Sequence, residues 1–304
     1  MCNGCKNYAA RLASQGMTPA SRLIEKAIAW ARDRADVRRL VLVGSRAEQQ
    51  RPDELADVDF QVHTTNVAAY TASADWLLPF GTQVVCVRDR YFDGPIHVPT
   101  RLVIFDEGVK VDFAFYPAGT VSSGLRQGRP HLVLIDKDPS PPIAPTHDFD
   151  RVNPPTEDEF RRVVEEFWFE AWHVAKYLAR GELWLAKMRD WATKQFLLVM
   201  IGWNSRFAHG QTIDPDAEGS RDTMDRNTWR ALHGTFTAFE RDEAWKGATA
   251  TRNLFRELAT QTALSLGYTY PSKTDAQISR LIASIAEGAG FPPSRDEARP
   301  PDRL

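Results

Sequence analysis

Cysteine is scarce in this sequence: Cys2, Cys5 and Cys86 are the only three in 304 residues. Three cannot build a disulfide framework. Cys2 and Cys5 have CxxC spacing, but a closed zinc site takes four ligands, and no second Cys or His pair lies near them. They read as two free thiols on a polar N-terminal tail. Long hydrophobic runs are absent too, and no stretch reaches the length that spans a bilayer. The first residues lack the basic, then apolar, then small-residue order of a secretion signal, so the expected compartment is the cytoplasm. Neither sign of charge dominates: 38 Lys and Arg against 40 Asp and Glu leave −2 at pH 7. A surface that tracks phosphates along a strand needs clustered Lys and Arg, so no nucleic-acid partner is expected. No membrane partner is expected either, and the expected assembly is a monomer or weak dimer. The slight acidity is compatible with a small cationic substrate and decides nothing by itself. No internal repeat is visible.

What is present is an ordinary globular composition, 43% hydrophobic and 26% charged, in a chain long enough for two domains. Thr18-Pro19 opens a helix, with Thr as N-cap and Pro at the first helical position. Leu23, Ile24, Ala27, Ile28 and Ala31 then recur at helical spacing. Strands are expected at 38–43, 58–63, 83–87 and 131–135, with a helix over 67–78 between them. Residues 101–105 and 109–116, joined by Asp106-Glu107-Gly108, read as a hairpin. The texture then changes. Six prolines (139, 141, 142, 145, 154 and 155) crowd 139–155 and break both helix and sheet, which marks a linker. Beyond it, helices are expected over 156–179, 182–207, 226–239, 243–266 and 275–286. The first begins with a Thr156/Glu159 capping box. The Pro- and Arg-rich tail, 291–304, is expected to be disordered. The reading is α+β: a mixed-sheet domain over 1–138, the linker, and a helical bundle over 156–290.

The chemistry concentrates between Val41 and Val62. A strand runs into Gly44-Ser45-Arg46, a polar loop follows, and a second strand opens on Asp57-Val58-Asp59. Residues two apart in a strand share a face, so both carboxylates point one way. Like charges so close cost free energy unless a cation sits between them. Mg²⁺ is the natural candidate, because it takes carboxylate oxygens and keeps sites for substrate phosphates. Gly44 would let the backbone approach a phosphate, and Ser45 offers a hydroxyl and an N–H to it. Arg46 would add charge there, or pair with Glu48 or Asp53. A third carboxylate, Asp112, stands opposite Val111, Phe113 and Phe115 in an alternating segment. An Asp amid an apolar strand needs a reason. A solvated sheet face is one; a strand lying beside Asp57 and Asp59 is the other. In the second case Asp112 would ligate the ion or take a proton from an attacking hydroxyl. Asp-x-Asp alone also occurs in metal-dependent glycosyltransferases, calcium loops and ordinary surfaces. The order strand, Gly-Ser, polar loop, Asp-x-Asp, later strand Asp is more particular.

In that order the chain resembles nucleotidyltransferases of the DNA polymerase β superfamily, and within them the aminoglycoside 6-adenylyltransferase (streptomycin adenylyltransferase) family. Gly44-Ser45-Arg46 with Asp57-Val58-Asp59 carries most of the resemblance. Trp76-Leu77, Phe80-Gly81, Lys110-Val111-Asp112, Tyr116-Pro117 and Leu134 to Asp138 add to it. So do Glu166-Phe167-Trp168, Val174-Ala175-Lys176, Glu182, Leu266-Gly267-Tyr268 and Tyr270-Pro271. The resemblance implies a polymerase β-like domain followed by a helical substrate-binding domain. It also implies Mg²⁺-dependent transfer of an adenylyl group from ATP to an aminoglycoside hydroxyl, release of pyrophosphate, and antibiotic resistance. Asp57, Asp59 and Asp112 are then the catalytic and metal-holding residues, and Gly44, Ser45 and Arg46 the nucleotide cradle. Lys176 would contact phosphate, or stand on a solvated helix face. Glu170, Glu182 and Trp172 are the candidates on the substrate side; Glu182 would serve equally as a helix N-terminal residue. Of Trp168, Trp172, Trp184, Trp191 and Trp203, most are expected in the core, and one or two would wall a sugar site. Two departures stand out: Val58 replaces an aromatic between the aspartates, and Phe169 to His173 is no close match. The second leaves the acceptor open.

Overall fold

A computed structural model describes residues 17–47, 55–126, 129–138, 154–210 and 224–291. The Cys2/Cys5 pair, most of the Pro-rich linker and the tail after Phe291 lie outside the described residues. The chain divides into two compact units, Met1–Arg151 and Val152–Leu304.

The first unit is built on a six-stranded mixed sheet. Its opening helix α1 (Pro19–Asp33) starts on Thr18, whose side chain and that of Ser21 cap each other's backbone N–H. The strands are β1 (Val37–Val43), β2 (Val58–Thr64), β3 (Gln83–Asp93), β4 (Ile96–Phe105), β5 (Lys110–Pro117) and β6 (His131–Asp136). They lie in the order β3-β4-β5-β2-β1-β6. Neighbours are antiparallel except β2 and β5, which run parallel at the centre. Two more short helices, α2 (Val67–Ala72) and α3 (Ser123–Arg126), complete the unit.

Alternation sorts the strands into two faces. Leu40, Leu42, Val58, Phe60, Val62, Val111, Phe113 and Phe115 turn to one side and meet Leu23, Ile24, Ala27 and Trp30 of α1. Each fully buried Phe there contributes about 2 kcal/mol. Expectation and structure part at 67–78. The helix stops at Ala72, Ser73 is extended, and Asp75–Phe80 forms a 3-10 turn. Trp76 gives the reason. Its indole N–H donates to the carbonyls of Tyr70 and Ser73 at 3.2 and 3.1 Å. Its ring packs against Tyr70, Phe80 and Phe113 in the core. The third strand also runs well past the expected Val87, to Asp93, paired along its length with β4. Arg88-Asp89-Arg90 looks like loop, but this is an edge strand exposed to solvent, where polar side chains are at home.

The second unit is helical: α4 (Glu157–Ala179), α5 (Leu183–Phe207), α6 (Arg226–His233), α7 (Arg241–Leu266) and α8 (Ser272–Gly288). The expected capping box at Thr156 and Glu159 is formed. Phe160, Val164, Phe167, Trp168, Met200, Phe255 and Leu258 make the core, with Phe167 stacked flat on Phe255. The sixth helix ends at His233, short of the expected Phe239. Gly234 follows it, and the buried Thr235 turns its hydroxyl back onto the Leu232 carbonyl at 2.8 Å. Among the tryptophans, Trp168 is buried, and Trp172 and Trp203 pack partly against the core. Most of the five are thus in or against the core, as expected, and Trp184 and Trp191 are outside it, 71% and 59% exposed. Their helix is apolar on more sides than its neighbours can cover, so spacing alone could not choose its inner face. No helix among the described residues is long and apolar enough to cross a membrane.

Candidate active site

The second face of the sheet carries the polar residues. The first strand ends at Val43 and Gly44 follows it, its φ of +75° turning the chain into a 3-10 turn, Ser45–Ala47, closed by the Ala47 N–H on the Gly44 carbonyl at 2.9 Å. A left-handed residue favours glycine. A second constraint is tighter: a Cβ on Gly44 would stand 2.9 Å from Asp59 Oδ2. The Asp59 carboxylate therefore lies against the turn, in space that any side chain at 44 would occupy. Arg46 donates from Nε and Nη2 to the Ala56 carbonyl at 2.8 and 2.6 Å, and from Nε to the Asp57 carbonyl at 3.1 Å. It ties the Gly-Ser turn to the start of the carboxylate strand. Ser45 is partly exposed beside it.

Asp57 immediately precedes β2 and Asp59 lies within it. In the parallel pair Asp59 is opposite Asp112, Gln61 opposite Ala114, and His63 opposite Tyr116. The structure thus brings Asp112 beside the dyad strand. The ammonium of Lys110, two residues before Asp112 on the same face, lies between two carboxylates. It donates to Asp57 Oδ2 at 2.6 Å and to Asp112 Oδ2 at 3.0 Å. Burial works to lower the lysine's pKa, and the two carboxylates outweigh it, so the group is held above its ordinary value. Burial raises the Asp112 carboxyl, and Lys110 opposes that only in part. Asp112 Oδ1 is buried with no hydrogen-bond partner. Among the described residues no group of three or more His, Cys, Asp or Glu is gathered as if around an ion. The donors nonetheless suit a hard cation: carboxylate oxygens at the mouth of two parallel strands, one of them unsatisfied, and two already sharing a positive charge.

The same face continues inward as a polar strip that sequence reasoning missed. Gln61 and Thr100 are buried, and neither Gln61 Oε1 nor Thr100 Oγ1 has a partner. His63 is buried and stacks on Tyr116. Burial, with the Arg39 guanidinium, pushes its pKa down to about 4. Tyr116 donates to Asp93 at 3.1 Å and shares a hydrogen bond with Tyr91, and burial holds its hydroxyl far above the usual range. The signal was available: 57, 59, 61 and 63 have one parity, as do 110, 112, 114 and 116. Lys110 was visible in the sequence as part of a motif and carried no assigned role.

In the helical unit, Glu170 accepts from Arg189 at 3.1 Å, so its charge is already matched. Lys176 lies half-buried with its ammonium 5.4 Å from the ring centres of both Trp172 and Tyr177. Trp172 packs partly on the core and against His173. Glu182 is exposed at the N-cap of α5 and makes no capping hydrogen bond.

A mixed sheet that sets carboxylates at the mouth of its two parallel central strands, followed by a helical unit, is the α+β framework of nucleotidyltransferases, and the chain is an enzyme of that class. The family model described as streptomycin adenylyltransferase matches residues 17–285. The chain belongs to that family. It is similar to the aminoglycoside 6-adenylyltransferase of Campylobacter jejuni, 26% identical over 81% of this chain and 88% of that protein. The protein of the same name from Bacillus subtilis (strain 168) is 24% identical over 77% of this chain and 87% of that one. A crystal structure of an aminoglycoside 6-adenyltransferase from Bacillus subtilis aligns with 89% of this chain and 99% of that chain, at 21% identity and a TM-score of 0.43.

Proposed function

We propose that the protein transfers the adenylyl group of ATP to a hydroxyl of a cationic aminoglycoside of the streptomycin kind, releasing pyrophosphate and so conferring resistance. The observation that carries this is the register of the central parallel pair, which sets Asp112 opposite Asp59 and within reach of the Lys110 that Asp57 also holds. The names of the relatives support the acceptor class. In the reaction the acceptor oxygen bonds to the α-phosphorus, the bond from that phosphorus to the bridging oxygen of pyrophosphate breaks, and the hydroxyl proton leaves. Asp112 is the candidate to take that proton, since burial already biases its carboxyl towards the protonated form. Asp57, Asp59 and Asp112 would hold Mg²⁺, whose charge offsets that of the α-phosphate and the departing pyrophosphate. Ser45 and the open backbone at Gly44 would meet the outer phosphates, with Arg46 keeping the turn in place. Lys176 is proposed as a further phosphate contact from the helical unit. On the acceptor side, Glu182 is the carboxylate open to a guanidinium or ammonium, whereas Glu170 would have to part from Arg189 first. Trp172 would offer an aromatic wall to a sugar ring.

The test is to incubate the full chain with ATP, Mg²⁺ and a panel of aminoglycosides that includes streptomycin, and to weigh the products. An AMP adduct on streptomycin supports the full reading. An adduct only on other hydroxyl compounds keeps nucleotidyl transfer and removes this acceptor class. No adduct and no pyrophosphate with any acceptor would overturn the proposal.

A further inference from the structure

We infer that Lys110 is the internal counter-ion of the carboxylate site and trades places with the divalent cation, moving from the carboxylates to the nucleotide phosphates when cation and nucleotide are both bound. This rests on the reading above that Asp57 and Asp112 hold the cation. The ammonium makes ordinary hydrogen bonds to one oxygen of each, Oδ2 at 2.6 and at 3.0 Å. A Mg²⁺ ion binds carboxylate oxygens at about 2.0–2.1 Å, so an ion shared by those two oxygens needs the volume that Nζ fills. The two cations exclude one another there.

A purely structural ion pair accounts for less of what is seen. One carboxylate satisfies a lysine on a strand face, whereas Lys110 spans two that belong to different segments of chain. Even with the lysine in place the site is short of positive partners, because Asp112 Oδ1 stays buried and unbonded. The lysine is also free to leave. Its side chain is 38% exposed, its hydrogen bonds run through Nζ to the two carboxylates, and its four-carbon stem is flexible. A displaced ammonium on a stem rooted two residues from Asp112 lies within reach of whatever anion the same carboxylates and cation have bound. Phosphate oxygens are the matching partner. The exchange costs little net charge separation: the carboxylates keep a cation, and the lysine gains an anion in place of the one it gives up.

The experiment reads binding apart from turnover. Mn²⁺ affinity is measured on the full chain without nucleotide, by the electron paramagnetic resonance of free Mn²⁺, for the wild type and for Lys110→Met, Lys110→Arg and Asp57→Asn. Loss of the competing ammonium is expected to tighten Mn²⁺ about tenfold in Lys110→Met, while Lys110→Arg, which keeps the charge, stays within about threefold of wild type. With Mn²⁺ saturating, Lys110→Met is expected to bind a non-hydrolysable ATP analogue about tenfold more weakly. Equal or weaker Mn²⁺ binding in Lys110→Met overturns the exchange, and so does tighter Mn²⁺ with unchanged analogue binding. If Lys110→Met does not fold, Lys110→Gln takes its place with the same expected signs. Mn²⁺ binding that Asp57→Asn leaves untouched instead removes the metal reading on which the inference stands, an outcome separate from the first two.

Discussion

Asp59 and Asp112 stand directly opposite each other across the parallel strands β2 and β5, although 53 residues of chain separate them. Neighbouring carboxylates in register repel, and the fold keeps them together with a lysine at one side and a glycine turn at the other. Asp59→Asn and Asp112→Asn are each expected to lower kcat/KM for adenylyl transfer by at least about a hundredfold, with the fold intact. Stability should not fall in step. The Asp112 carboxyl is held above its ordinary pKa in the folded chain, so its ionised form opposes folding once the pH rises past the unfolded value, and an amide removes that opposition. Steady-state kinetics beside urea midpoints check both halves. A fully active Asp112→Asn would take the residue out of the chemistry.

Gly44→Ala is expected to damage the site more than the fold. Its Cβ would press on Asp59 Oδ2 at 2.9 Å, and its φ of +75° adds roughly 1 kcal/mol of backbone strain. Gly108→Ala is the control. It has φ +77° and nothing within 4 Å of the added carbon, so it should share the strain and spare the carboxylate. Similar stability losses with a kcat/KM drop of about tenfold or more in Gly44→Ala alone would bear this out. Equal activities would mean that the carboxylate moves aside freely.

Acid should loosen the sheet unit through His63. This residue is 2% exposed, stacked on Tyr116 and near Arg39, which is itself paired with Asp136 at 3.1 Å. Burial first and the guanidinium second bring its pKa down to about 4 from 6.5. Between those values the unfolded chain takes up a proton that the folded chain refuses. Stability is therefore whole above about pH 6.5 and falls as the pH drops towards 4, by about 3 kcal/mol from this group. His63→Gln should flatten that part of the curve. Urea midpoints of both proteins at pH 7 and pH 5 decide it, and parallel curves would show that the acid sensitivity lies elsewhere.

In the helical unit Asp275 holds four donors: Arg256 through Nε at 2.7 Å and Nη2 at 2.8 Å, the Tyr270 hydroxyl at 2.8 Å and the Ser279 hydroxyl at 3.0 Å. Tyr270 in turn accepts from the Trp168 indole at 3.2 Å. Asp275→Ala leaves these groups without their acceptor beside a buried core, and should cost about 3 kcal/mol. Thermal unfolding measures the loss. The rate of adenylyl transfer well below the transition should stay within about threefold of wild type, since no part of this network is proposed to touch substrate.

The α+β class, the N-cap at Thr18, the capping box at Thr156, and most strand and helix centres were legible in the sequence because each follows from local periodicity or from residues a few apart. Where local pattern failed, a tertiary contact was responsible. Trp76 left its helix to fill the core, and the polar half of β3 became a strand because β4 paired with it. The sixth helix stopped where Thr235 turned inward.

The site divides in the same way. The sequence by itself determined that Asp57 and Asp59 are two residues apart at the start of a strand, that a Gly-Ser turn closes the strand before it, and that Asp112 stands on the polar side of an alternating segment. Period-two geometry carries all of that. Only the tertiary structure decided that β5 lies beside β2, parallel and in the register that sets Asp112 against Asp59, and that Lys110 falls between Asp57 and Asp112. Strand partners are chosen by the packing of Phe60, Phe113 and Phe115 on the far face of the sheet. A slip of β5 by one residue there would have turned Asp112 into the core and Phe113 out of it.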